Sequence, residues 1–186
     1  MEKFATIDTI LKNNHLVIND VKDTRLILGE SPYPNTSKRT KMVSNYPFNI
    51  ASFVTPSFEE TIQLFCVMNL FFGLDNAKIL INDFKNNKVS GQDFVCYLES
   101  NFNVFLGNVS EKSKVKIFLT NHPNAKILCC GRKSQQHIKK FKDFKGQVFD
   151  IVYPGSFTLS KSSTVRQWLV FNHTNSNRTL NTFRLI

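Results

Sequence analysis

Thr24-Arg25-Leu26-Ile27-Leu28 is a short apolar run that stops at Gly29. A run this short, without polar alternation and with a turn residue behind it, reads as a strand buried on both faces. Three later segments share the pattern. Residues 104–106 end in Gly107-Asn108, residues 125–130 in Gly131-Arg132-Lys133, and residues 148–152 in Tyr153-Pro154-Gly155. Stretches with helical spacing lie between and around them. Phe4, Ile7, Ile10 and Leu11 mark a helix over 4–14. Thr55-Pro56-Ser57 opens another, with Ser57 as N-cap and Glu60 at the capping-box distance, carrying Ile62, Phe65 and Cys66 on towards Phe72. Phe94, Val95 and Leu98 place one from 90 to about 100. Residues 114–119, a polar stretch from Lys133 to about Phe141, and 163–172 complete the set. Strands alternating with helices predict an α/β fold, a three-layer sandwich around a short, mostly parallel four-stranded sheet. The whole chain, 1–186, is expected to form one domain.

In an open α/β sheet the functional crevice lies beyond the carboxyl ends of the strands. The four turns are therefore where function is expected. Composition says what kind. The net charge of +10 and the isoelectric point near 9.6 favour a polyanionic partner, with nucleic acid ahead of membrane. No stretch reaches the roughly 20 apolar residues of a membrane span, and the N-terminus has no signal-peptide pattern, so an intracellular protein of the cytoplasm or nucleus is expected. Cys66, Cys96, Cys129 and Cys130 form no Cys-x-x-Cys pair, which gives neither zinc spacing nor a disulfide framework. His15, His122, His137 and His173 are scattered and read as surface or packing residues. Most of the eighteen phenylalanines must fill core.

The first turn, Gly29-Glu30-Ser31-Pro32-Tyr33-Pro34, resembles the first motif of the uracil-DNA glycosylase superfamily, commonly Gly-Gln-Asp-Pro-Tyr after a buried strand. Further motifs follow in the family's order. Pro47-Phe48 is similar to the Pro-Phe whose ring stacks on an extruded base. Thr55-Pro56-Ser57 is similar to the Pro/Ser loop that pinches one DNA strand. Leu106-Gly107-Asn108 resembles the Leu-Leu-Asn strand end whose amide reads uracil. Cys130-Gly131-Arg132 stands where the family has a strand-ending Gly-Ser loop that holds a phosphate. Tyr153-Pro154-Gly155-Ser156-Phe157 resembles the last motif, His-Pro-Ser-Pro-Leu. The resemblance spans about residues 24–173.

It implies base excision from single- or double-stranded DNA: the nucleotide leaves the stack, and its edge is read in a pocket. Phe48, Asn108 and Tyr33 would contact the base, and Tyr33 would exclude the thymine methyl. Two positions depart from the pattern. Ser31 replaces the usual Asp and cannot carry charge at neutral pH, and Tyr153 replaces the usual His. Glu30 offers a compensating carboxylate, as in the branch with Gly-Glu-Ala-Pro, and Tyr153 a neutral donor to the leaving base. The catalytic candidates are thus Glu30, Ser31 and Tyr153.

Phe157 falls where the family inserts an apolar wedge into the gap left by the base. Pro56, Ser57, Gly131, Arg132, Lys133, Gly155, Ser156, Phe157 and Lys161 are the expected DNA contacts. Six basic residues between Arg132 and Lys145, against the single acid Asp143, extend that track. No cofactor or metal is required by this chemistry, and a monomer is expected. The rival readings are a catalytically degenerate member that binds DNA or a protein partner, and a basic α/β domain with a nucleotide or sugar ligand.

Overall fold

A computed structural model describes residues 2–16, 23–153, 167 and 171. Four strands, β1 (Arg25–Gly29), β2 (Val104–Asn108), β3 (Lys126–Cys130) and β4 (Gln147–Ile151), form one sheet in the order β2-β1-β3-β4. Every neighbouring pair is parallel, with Leu26 opposite Phe105 on one side and Ile127 on the other. All four expected strands are present within a residue or two of their expected bounds. β1 and β2 are buried along their length, as parallel strands covered on both faces must be.

The helices are α1 (Glu2–Asn13), α2 (Ile62–Phe72), α3 (Leu74–Asn86), α4 (Gly91–Phe102), α5 (Lys112–Asn121) and α6 (Arg132–Ile138). The right-handed rule for parallel connections accounts for their distribution. The β1-to-β2 connection carries α2, α3 and α4 over one face, where α1 packs on α3 and α4. The connections through α5 and α6 run the other way across the sheet and cover the second face, with α6 on β3. The result is the three-layer α/β sandwich. Among the described residues no single helix is long and apolar enough to cross a membrane.

Two local readings are corrected. The helix expected from Ser57 begins at Ile62, and its cap is Thr61, whose Oγ1 accepts from Leu64 N–H at 3.1 Å. The cause is Phe58. Its ring is fully buried against Phe84 and Phe94, and its backbone takes a left-handed φ of 54° to put it there, which stops a helix before it starts. Glu60 is exposed and does not return to Ser57. The second correction is α3, which the spacing argument passed over. Its buried residues Ala77, Leu80, Ile81 and Phe84 nevertheless have helical spacing. The expected helix 90–100 is α4, with a full capping box between Ser90 and Asp93. Of the segment 163–172, Gln167 and Phe171 are described; both are helical, and Phe171 is buried with its ring 5.9 Å from Phe149.

The edge of β2 is sealed by a side chain. The Tyr46 hydroxyl, wholly buried, accepts from Leu106 N–H at 2.7 Å and so stands in for a missing neighbouring strand. Phe48 lies behind it. A Cβ built on Gly107 would fall 2.6 Å from the Phe48 ring, so glycine is what allows that ring to lie flat on β2.

Candidate functional site

The sheet order puts a topological switch point, where α/β folds place their crevice, at a defined place. From β1 the chain moves outward to β2, then returns to β3 and β4 on the other side. The carboxyl ends of β1 and β3 therefore flank the switch point. Glu30 and Gly131 stand there, one residue past each strand.

Glu30 bridges the crevice. Its Oε1 accepts from the backbone N–H of Lys133 at 2.9 Å, in the first turn of α6. A carboxylate is favoured at a helix N-terminus, where N–H groups lack partners. The phosphate contact expected from Gly131-Arg132-Lys133 is thus corrected for the backbone: the Lys133 N–H is occupied by the protein's own carboxylate. The Arg132 and Lys133 side chains remain exposed at the rim. Ser31 is exposed beside them and supplies no charge.

Tyr153 follows β4 and is half-buried, with its ring edge-on to Phe53 at 5.9 Å. Its hydroxyl pKa is pushed up by burial first, then by the nearby charge of Glu30 and by Cys130. The phenol therefore stays protonated through the neutral range as a hydrogen-bond donor. Tyr33 is held more firmly. Its hydroxyl donates to Phe53 O at 3.2 Å and shares a hydrogen bond with Thr61 Oγ1 at 3.0 Å. Burial pushes its pKa up to about 12. Arg39 fixes the loop beneath by donating to the Tyr33 and Pro34 carbonyls.

Phe53, absent from the sequence reading, is the centre of this arrangement. It touches Tyr153 through its ring and Tyr33 through its carbonyl, and its ring lies over Gly29. Its φ of 64° is a conformation that a bulky side chain adopts at a cost of roughly 1–3 kcal/mol. No sequence signal marks such a position, because the residue is not glycine.

Asn108, register partner of Gly29, is 1% exposed. Its Nδ2 donates to Ile50 O at 3.0 Å, whereas its Oδ1 is buried with no hydrogen-bond partner. An unpaired buried acceptor costs about 1–3 kcal/mol, so its retention calls for a reason. The backbone carbonyl that holds the amide is itself fixed, since Glu111 accepts from the N–H groups of Asn49 and Ile50.

Phe48 does not join the site as expected. It has no exposed surface and packs on Gly107, Tyr46 and Phe118. In this conformation it offers no face to a base. Pro56 and exposed Ser57 form a turn fastened to α4, where Gly91 N–H donates to Pro56 O at 2.7 Å. Gly155, Ser156, Phe157 and Lys161 lie outside the described residues. Among the described residues no group of three or more His, Cys, Asp or Glu side chains is gathered for a metal. Burial pushes the Cys66 thiol up to about 12 and the Cys130 thiol well up, so neither is a thiolate nucleophile at neutral pH.

The structure therefore brings Glu30, Tyr33 and Tyr153 together around Phe53, sets Asn108 beside Gly29, and leaves Phe48 in the core. No protein-family model matches the chain, and no curated protein matches it.

Proposed function

We propose that this protein binds DNA and reads an extruded base at the carboxyl ends of its strands, as a DNA N-glycosylase of the uracil-DNA glycosylase type does. The observation that carries the reading is Asn108. A buried amide with Nδ2 committed to Ile50 and Oδ1 unpaired is an acceptor for a donor such as the N3–H of a uracil-like base, reached, like the Phe48 ring, only when the chain covering it shifts. Arg132 and Lys133 at the rim supply phosphate contacts, in a chain whose net charge is +10.

The chemistry follows from the two groups at the switch point. Glu30 uses Oε1 on Lys133 N–H, so its Oε2 is the oxygen left to orient a water. That water adds to the anomeric carbon as the glycosidic bond breaks; the electron pair leaves with the base, and the water's proton passes to Glu30 Oε2 and from there to solvent. Tyr153, held protonated, donates a hydrogen bond to the departing base. Lys133 acts through its backbone as a positioning group for Glu30.

A second reading, DNA binding without excision, is favoured by the complete burial of Phe48 and by the absence of an acid at Ser31. One comparison separates them. Glu30→Gln preserves an acceptor for Lys133 N–H and removes the charge. Base release by the unmodified protein, lost in Glu30→Gln with DNA affinity unchanged, supports excision. No release from uracil, hypoxanthine or hydroxymethyluracil in either strand form sinks it.

A further inference from the structure

The basic run between Arg132 and Lys145 is divided by the fold. α6 (Arg132–Ile138) starts at the carboxyl ends of the strands and runs back towards their amino ends. Arg132 and Lys133 therefore sit at the candidate site. Lys139 and Lys140 follow the end of α6, and Lys142 and Lys145 lie on the connection that returns to the start of β4 at Gln147, beside the amino end of β3, where Gly146 meets the Ala125 carbonyl.

This connection is a built surface. Successive turns order it: Lys140 N–H donates to His137 O, Phe141 N–H to Ile138 O and Phe144 N–H to Phe141 O. Phe141 and Phe144 turn inward and pack against the core. Gly146 closes the loop, for a Cβ there would fall 2.0 Å from the Ala125 carbonyl. With the aromatic residues anchored, all four lysines point outward and are exposed. None of them forms an ion pair with a described residue, whereas the neighbouring Lys126 is bound to Asp23 at 2.6 Å. The single acid of the loop, Asp143, leaves a clear positive excess. His137 senses it: burial, then Lys140 and Lys112, lowers its pKa, so the imidazole stays neutral beside the lysines.

We propose that the Lys139–Lys145 loop is a second phosphate-backbone contact for nucleic acid, separate from the strand-end turns where a base would be read. Ammonium groups carried on an ordered loop, without ion pairs to described residues, match a phosphodiester chain, which binds through charge and releases counterions. An anionic membrane is disfavoured because no large apolar side chain is exposed within the loop to enter a bilayer. The surface gives the protein a sequence-independent grip on DNA that does not pass through the crevice.

The test compares three full-length proteins: unmodified, Lys139→Ser/Lys140→Ser/Lys142→Ser/Lys145→Ser, and Lys142→Glu/Lys145→Glu. Affinity for a fluorescent 30-base-pair duplex is measured by anisotropy from low to moderate salt. Thermal melts check that the loop variants stay folded. The fourfold serine variant is expected to flatten the slope of log K against log salt by about 3 to 4, near 0.9 per lost phosphate contact. The glutamate pair is expected to weaken binding more than 10-fold at low salt. An unchanged slope in both folded loop variants overturns the proposal, as does loss of binding to phosphatidylserine vesicles with DNA binding intact. The outcomes are separable from those at the crevice. A flattened slope in a protein that releases no base keeps the loop contact and rejects excision. Base release with no effect of the loop variants does the reverse.

Discussion

Replacing Phe48 tests whether this ring is a core element or a base platform. It is 0% exposed, and its ring atoms lie 2.6–2.7 Å from where a Cβ on Gly107 would be. Truncating a buried Phe to Ala costs about 3–5 kcal/mol through lost burial and the cavity left behind. With no solvent face to soften the loss, Phe48→Ala belongs near 4 kcal/mol on that scale. Gly107→Ala drives a methyl into the same ring and should cost about 1–3 kcal/mol as overpacking. The two changes are not independent. In Phe48→Ala/Gly107→Ala the collision is gone and the new methyl fills part of the cavity. The double variant should therefore cost less than the sum of the single ones, by about 1–2 kcal/mol. Urea unfolding reads this directly: with a slope near 2 kcal/mol per molar, Phe48→Ala lowers the midpoint by about 2 M. Additive single changes, or a Phe48→Ala protein within about 0.5 kcal/mol of the original, would refute the packing argument and return Phe48 to the site.

Other contacts make separate predictions. Tyr46→Phe strands the buried Leu106 N–H and should cost about 1–3 kcal/mol in urea unfolding, with little effect on DNA affinity. Ser90→Ala removes the cap of α4 and should cost about 1 kcal/mol by the same assay. The Asp93 carboxyl is held below its ordinary range; burial opposes this, but hydrogen bonds from Ser90 and Lys3 and the Lys3 charge outweigh it. A depressed carboxyl pKa contributes stability above the unfolded value, lost as pH falls through the folded one. Asp93→Asn should therefore lower stability at pH 7 and leave it nearly unchanged well below pH 3.8; an equal loss at both pH values would reject the assignment.

Much of the fold was legible because its signals are local. Four apolar runs closed by turn residues marked β1 to β4, and the helical spacing of Phe94, Val95 and Leu98 marked α4. The start of α2 was misread because the Ser57–Glu60 spacing is a local cue, and the burial of Phe58 is a tertiary demand that overrides it. In the site, Glu30, Tyr33 and Tyr153 were legible from the turns that carry them. What they do to one another was not. That Glu30 reaches the Lys133 N–H depends on β1 and β3 being neighbours. The burial of Phe48 depends on Gly107 lying opposite it, and the strain at Phe53 on a backbone angle that no residue type announces.

The central claim is that the crevice at β1 and β3 reads and releases a base. The direct measurement is base release from oligonucleotides carrying one uracil, hypoxanthine or hydroxymethyluracil, single- and double-stranded, by the unmodified protein, Glu30→Gln and Asn108→Ala. The account predicts release of at least one base, abolished by Glu30→Gln at unchanged DNA affinity and reduced at least 10-fold by Asn108→Ala, a loss of about 1.4 kcal/mol in transition-state stabilisation. Absence of release from every substrate, or release indifferent to both substitutions, would contradict it.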